Sequence, residues 1–495
     1  MITAWPEKPF IYEINTWVWL NTLSRFYNHP ITLENVPDEV IEALTALPID
    51  AIWLMGVWER SPGAARSARQ YIDEYRPALP DVTIDDIVGS PYAIYTYRVD
   101  EDLGGRRGLA HFRQRLQAHG LKLMLDFVPN HVALDHPWTR IHPEYFVLGT
   151  PRDIFQQSDN FFYSRDATGQ TIVIAHGRDP YFPGWSDTAQ VNAFSPALRE
   201  AVAQTLLDIA EQCDGVRCDM AMLMLNEVFA RTWEGYVGAP PATDFWLEII
   251  PRIKEQHPHF LFMAEVYWDM EHRLQQQGFD LTYDKRLYDN LQDNNVRGIR
   301  AHLRAEIEFQ KHLVRFIENH DEERAMATLG LKRGMISAIL ICTLPGGTLL
   351  HDGQLTGRRV KLPVQLGRQP FEPEHQELQA FYQKLLRETR AAIYHEGEWS
   401  LLNVTPAEDD NGTHKNLIAY GWRHNGEVRL IVLNFNDGAS HGLVDVTAWL
   451  DGVANDWRLH DVLSGDVYQH TNDESQARLY VNLDGFAAHL FRLEQ

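Results

Sequence analysis

Cysteine is nearly missing: Cys213, Cys218 and Cys342 are the only thiols in a chain of 495 residues. Three cannot build a disulfide framework, and Cys213 with Cys218 lacks the further Cys or His partners of a zinc site, so all three read as inert core thiols. Histidine is plentiful at 22 residues, yet neither H-E-x-x-H nor paired C-x-x-C spacing occurs, which argues against a transition-metal site. Long hydrophobic runs are absent as well. The longest, "MISAILICTLP" at 335–345, is too short to span a bilayer. The start, "MITAWPEKPF", has no basic stretch leading into an apolar core, so a cytoplasmic protein without a membrane partner is expected. Positive charge is scarce: a net charge of -23 repels nucleic acid and anionic lipid and leaves a neutral or cationic ligand.

What is there is ordinary for a globular enzyme-sized chain, 44% hydrophobic and 23% charged with no low-complexity tract. The length asks for one large domain and at least one smaller. Eight short apolar runs read as strands: "FIYEINTWVWL" (10–20), "AIWLMGVWE" (51–59), "LKLMLDFV" (121–128), "GVRCDM" (215–220), "FLFMAEVY" (260–267), "DLTYDK" (280–285), "LVRFIE" (313–318) and "TLLHDG" (348–353). Helical periodicity lies between many of them. Over 105–119, Leu109, Phe112 and Leu116 share a face. At "SPALREAV", Ser195 can cap a helix that Pro196 begins, with Leu198, Val202 and Ile209 along one stripe.

Strand then helix, repeated about eight times, predicts an α/β fold, a (β/α)8 TIM barrel over 1–130 and 191–394; an open doubly wound sheet is the alternative. The interval 131–190 is too long for a strand-to-helix loop and is expected to be a small subdomain inserted after the third strand. From 395 to 495 the pattern becomes alternating strands, such as "VRLIVLNF" and "AAHLFRL", separated by turn residues, as in an antiparallel β domain.

"GVRCDM" sets a cation and an anion two positions apart in a strand, so Arg217 and Asp219 point the same way. A buried ion pair holding a barrel together is the plainer reading of an isolated Arg-x-Asp. Three other strand ends also carry acids, however: Asp126, Glu265 and Asp321. Several carboxylates in one pocket repel unless cations or shared protons offset them, which favours chemistry over stability. Arg217 is expected to keep Asp219 ionised as a nucleophile, while negative neighbours keep a proton on Glu265. Such a pair, about 5–5.5 Å apart, is what a retaining glycosidase needs.

"DFVPNH" (126–131), "GVRCD" (215–219), "AEVYW" (264–268) and "ENHD" (318–321) match, in order, four regions of the α-amylase family, glycoside hydrolase family 13. The chain resembles that family over about 1–395 as barrel and inserted subdomain, and its remainder is similar to the family's C-terminal β-sandwich. The resemblance implies Asp219 as nucleophile, Glu265 as general acid/base and Asp321 as transition-state stabiliser. It makes Arg217, His131 and His320 substrate-site residues and Asp126 a structural partner of the arginine. "GSPYAIYTY" implies Tyr92 as a stacking platform for a sugar face.

A lone His is more often a satisfied core residue, but His131 and His320 each follow an Asn at a strand end. Trp58, Tyr267 and Trp268 divide between core and sugar platform. "LGGRRG" (103–108) reads as the turn entering a helix rather than as a phosphate loop.

Two departures bear on substrate. After the nucleophile, "MAMLML" stands where many endo-acting members carry Lys-His, and Gln354 stands where the eighth strand usually ends in an acid. No cofactor is required by the chemistry; the resemblance makes Asn130 a candidate calcium ligand. The expected function is a retaining glycoside hydrolase on α-glucans or maltooligosaccharides. A transglycosylase (glucanotransferase) or sucrose-phosphorylase-like enzyme on the same site is the alternative. A non-catalytic carbohydrate-binding protein is the third reading, against which stands the presence of all three carboxylates.

Overall fold

The computed structural model describes residues 4–449, 456–471 and 478–494. Eight parallel strands close a barrel: β1 (Phe10–Asn15), β2 (Ala51–Met55), β3 (Lys122–Phe127), β4 (Gly215–Cys218), β5 (Leu261–Ala264), β6 (Leu281–Tyr283), β7 (Leu313–Arg315) and β8 (Gly347–His351). Seven lie within one of the eight apolar runs and β8 begins one residue before its run, at Gly347, and the barrel excludes the open sheet. β2 and β3 are buried along their whole length, which is why β2 is wholly apolar and β3 carries only Lys122 and Asp126 among apolar residues, with no polar–apolar alternation. The chain forms two compact units: Trp5, Ile11–Tyr283 and Lys361–Phe371 in one, Pro6–Phe10, Asp284–Val360 and the residues from Glu372 onward in the other.

Within the first unit, the run 10–20 is not one strand. Asn15 leaves the strand and its side-chain oxygen accepts from Val18 N at 3.4 Å, capping helix α1 (Thr16–Tyr27). An Asn at this junction offers the cap that an uninterrupted apolar reading overlooks. Helix α2 (Gly105–Ala118) follows the left-handed Gly104 (φ 105°) and buries Leu109, Phe112 and Leu116. Helix α3 (Pro196–Gln212) begins at Ser195, whose hydroxyl accepts from Leu198 N, and buries Leu198, Val202 and Ile209. Between β3 and α3, His131–Ala133 pairs antiparallel with Thr188–Gln190, and Phe161–Arg165 with Thr171–Ala175.

In the second unit, the apolar 335–345 run falls mostly in helix α4 (Gly330–Thr343), a core helix. No helix among the described residues is long and apolar enough to cross a membrane. Beyond helix α5 (Gln376–Glu388), the strands form a six-stranded and a three-stranded antiparallel sheet. Leu430 and Val432 of one sheet and Val444, Val481 and Leu483 of the other share a single apolar core. That is the period-two logic of a sandwich, with inward residues from both sheets meeting.

Candidate active site

Adjacent parallel strands bring the first unit's carboxylates together. Cys218 of β4 pairs with Ala264 of β5, so the next residues, Asp219 and Glu265, leave neighbouring strands at the same height. Asp219 N donates to Phe127 O at 2.9 Å and Glu265 N to Cys218 O at 3.0 Å, which fixes both strand ends. Arg217, one pleat back on β4, is fully buried, while Asp219 is 6% and Glu265 3% exposed.

The guanidinium serves both acids. Nη1 lies 2.7 Å from Asp219 Oδ1 and Nη2 lies 2.7 Å from Glu265 Oε2. The reach of Arg217 across the β4–β5 pair brings Glu265 as close to the cation as Asp219. Burial opposes the Arg217 charge, yet Glu265, Tyr92, Tyr283 and Asp219 hold it well above its ordinary value. Rings surround it, with Tyr92 at 5.1 Å and Trp53 at 5.6 Å, while Tyr283 OH accepts from Nε at 3.4 Å.

Glu265 is held by both oxygens. Oε2 accepts from Met220 N at 2.7 Å and Oε1 from Tyr267 OH at 3.0 Å. Met220 takes a left-handed φ of 43°, and its amide N–H points at Glu265. The "MAMLML" segment that begins there is apolar and, from Ala221 to Leu225, buried. It is core packing and offers no charged group to a sugar.

Asp126 lies opposite Arg217 in the β3–β4 register and accepts from Trp53 Nε1 (3.2 Å) and Gly56 N (2.9 Å). Trp58 is core, its indole donating to Asp126 O at 2.8 Å. His131 is buried with its ring 5.1 Å from Trp185, and burial lowers its pKa, which keeps the imidazole neutral. Tyr92 is half-buried beneath the guanidinium. Trp268 is 37% exposed and meets Tyr181 edge-on at 5.1 Å, and Tyr181 itself is 61% exposed. Neither Tyr283, Tyr181 nor Met220 was singled out in the sequence. Tyr283 shares an inward face with Leu281 by strand alternation, but Tyr181 lies 87 positions before Trp268 with no local pattern to join them.

In the second unit, the loop after β7 carries Glu318, Asn319, His320 and Asp321. Asn319 Oδ1 accepts from Asp321 N and Glu322 N, both at 2.9 Å, which shapes the turn. His320 is buried, with Nε2 2.8 Å from the exposed Asp321 carboxylate. Burial would raise the Glu318 pKa, but Arg324 at 2.7 Å and His351 hold that carboxyl below its usual range. Gln354 is buried and donates to Tyr382 OH at 2.9 Å, tying the β8 loop to helix α5.

Asn130 does not fit a cation. Its Oδ1 accepts from Gln190 Nε2 at 2.9 Å, and the same nitrogen reaches Asn130 O at 2.8 Å and Val191 O at 3.0 Å. A calcium ion needs converging oxygens, and here an amide N–H donor stands among them, with Gln190 fully buried. Among the described residues no group of three or more His, Cys, Asp or Glu could hold a metal.

Comparison with known proteins gives three findings. The model of the α-amylase catalytic domain matches residues 39–384. Alpha-amylase MalA of Haloarcula japonica is 25% identical over 473 residues, covering 94% of this chain and 59% of the relative; alpha-amylase 3 of Dictyoglomus thermophilum is 21% identical over 318 residues, covering 60% and 58%. The chain thus spans somewhat under two thirds of the length of these curated relatives. A solved structure of a noncanonic maltogenic alpha-amylase, AmyB, from Thermotoga neapolitana shares the fold with a TM-score of 0.69 at 20% identity, covering 99% of each chain.

Proposed function

The chain belongs to the α-amylase family, and from that premise we propose that it is a retaining enzyme that cleaves α-glucosidic bonds in α-glucans or maltooligosaccharides. The observation that carries the reading is the single guanidinium between two buried carboxylates, 2.7 Å from each. A cation shared this way orients both acids toward one reacting carbon and its leaving oxygen, and supplies the positioning that lowers the barrier.

Because Asp219 Oδ1 accepts from Arg217 Nη1, Oδ2 is the oxygen that attacks C1. Glu265 Oε2 faces a fixed backbone donor, Met220 N, and the Arg217 cation, whereas Oε1 faces the Tyr267 hydroxyl, which can rotate to accept instead of donate, so we assign the acidic proton to Oε1. Glu265 gives that proton to the glycosidic oxygen as the C1–O bond breaks and the C1–Asp219 ester forms. In the second half, Glu265 takes a proton from water, the hydroxide oxygen bonds to C1, and Asp219 leaves as carboxylate, so the configuration at C1 is retained. Asp321 and His320 keep the roles implied by the resemblance, stabilising the transition state and holding the sugar, with Tyr92 and His131 as further sugar contacts. Asp126 buttresses the β3–β4 pair. The barrel over 1–130 and 191–394, the subdomain over 131–190 and the β domain over 395–495 are the domains of this reading.

A second reading, transfer of the glycosyl group to another sugar, is favoured by the exposed Trp268–Tyr181 pair just beyond the acid. An apolar face there would hold an acceptor sugar against C1 in competition with water. Incubation with maltotriose and maltoheptaose, followed by product chromatography, separates the readings: glucose and maltose alone mean hydrolysis, longer products mean transfer. No cleavage of any α-glucan, or full turnover by Asp219→Asn, would refute both.

A further inference from the structure

The second unit contains a cavity of about 920 Å³, near the upper end of the range of ordinary ligand pockets, about 300–1,000 Å³. Lys8, which lines it, stands just before the strand that begins at Phe10, and Gly346, also on its wall, just before β8. It therefore opens at amino-terminal strand ends, whereas Asp321 follows the carboxyl-terminal end of β7.

Its walls combine three kinds of surface. Tyr394, Trp399 and Trp422 supply aromatic faces, with Trp399 half-buried and the other two buried. Glu396 and Glu398 supply exposed carboxylates at the rim. Lys8 supplies a buried ammonium, 2% exposed, that donates to Cys342 O at 2.6 Å. An ammonium has three hydrogens, and beyond that one carbonyl the Lys8 nitrogen is near the rings of Phe10, Tyr394 and Trp422, 5.4–5.7 Å away. Burial in this cage pulls the Lys8 pKa down to about 7, the mark of a cation short of oxygen acceptors.

The geometry points to a second sugar-binding site in this cavity, one that takes a neutral oligosaccharide. An anion would meet the carboxylates of Glu7, Glu396 and Glu398, and a bare cation would meet Lys8. The rim charges are matched besides: Glu398 pairs with Arg423 at 3.1 Å, Glu396 with His424 at 3.5 Å and Glu7 with Lys311 at 3.9 Å. A pyranose satisfies all three surfaces at once. Its CH face stacks on Trp399, its oxygens accept from Lys8, and its hydroxyls donate to the rim carboxylates. That the sugar is an α-glucan rests on the proposed function; that it is neutral and hydroxyl-rich rests on the cavity.

The full chain carrying Asp219→Asn, titrated with maltoheptaose by calorimetry, is expected to bind two molecules per chain. Adding Trp399→Ala should remove one, and adding the exposed-surface change Glu398→Gln should weaken the same one about tenfold, both with unchanged circular dichroism. A single site in the parent that disappears with Trp399→Ala would uphold the cavity and count against the catalytic reading. Isotherms that neither substitution alters would overturn the inference, whatever happens at the carboxylates.

Discussion

Arg217 Nη2 stands 2.7 Å from Glu265 Oε2, as near to that carboxylate as Nη1 is to Asp219 Oδ1. One planar cation thus sets the distance between the two carboxylates to which we assign the reaction. A point charge on a flexible stem cannot hold two carboxylates by separate nitrogens.

Arg217→Lys should therefore lower kcat/KM on maltoheptaose by about 10²-fold or more, the scale of a small misplacement of reacting groups. Arg217→Met, which leaves both carboxylates buried without the cation, should in addition cost about 3–5 kcal/mol of stability. Denaturant titration beside steady-state kinetics checks both, and a lysine variant with native kcat/KM would show that the shared contact does not matter.

His136 is a pH reporter for the segment after β3. Burial pulls its pKa down from 6.5 to about 4, and Trp138 N donates to Nδ1 at 3.0 Å, which also requires the neutral ring. The folded state thus favours neutral His136, so its contribution is complete above about pH 6.5 and is lost as pH falls toward 4. His136→Gln should flatten the fall in stability across that window by about 2–3 kcal/mol. Unfolding curves at pH 7.5, 5.5 and 4.5 for both proteins measure it; parallel pH dependences would contradict the assignment.

Trp268→Ala removes an exposed face three residues beyond Glu265 and leaves Asp219, Arg217 and Glu265 in place. KM for maltoheptaose should rise about tenfold, equivalent to about 1.4 kcal/mol, while turnover of an aryl α-glucoside with a small leaving group changes less than twofold. If the two substrates lose affinity alike, Trp268 supports the acid rather than the sugar.

Gln190 answers a question usually put to a metal. Its amide nitrogen reaches three oxygens of Asn130 and Val191, so a chelator should leave the Tm unchanged. Gln190→Ala, which strands buried acceptors, should cost about 1–3 kcal/mol or more. A Tm that drops on dialysis against chelator would put a cation at this junction after all.

The barrel was legible because its strands are buried and nearly continuously apolar, broken by only a few charged residues such as Asp126 and Arg217, and because four strand ends carry acids in a recognisable order. Less legible was everything that depends on which strand lies beside which. Arg217 on β4 reaches Glu265, just past the end of β5, only because Cys218 and Ala264 are paired, a register that no residue announces. Asn15 was absorbed into a strand because the apolar residues on either side of it masked the cap. Gln190 carried no sign of its role, since an amide side chain is ordinary on any surface and becomes informative only when buried beside three oxygens.

Met220, Trp268 and Asp269 hold φ values of 43°, 64° and 58°, a left-handed region that costs Met220 and Trp268 of order 1–3 kcal/mol apiece and that Asp tolerates more readily. All three lie within four residues after Asp219 or Glu265 along the chain. The surrounding fold must supply the restraint that keeps these turns wound, and restraint of that sort slackens before cooperative melting begins. Warming should silence turnover while the far-ultraviolet spectrum is still native, and brief cooling should bring it back.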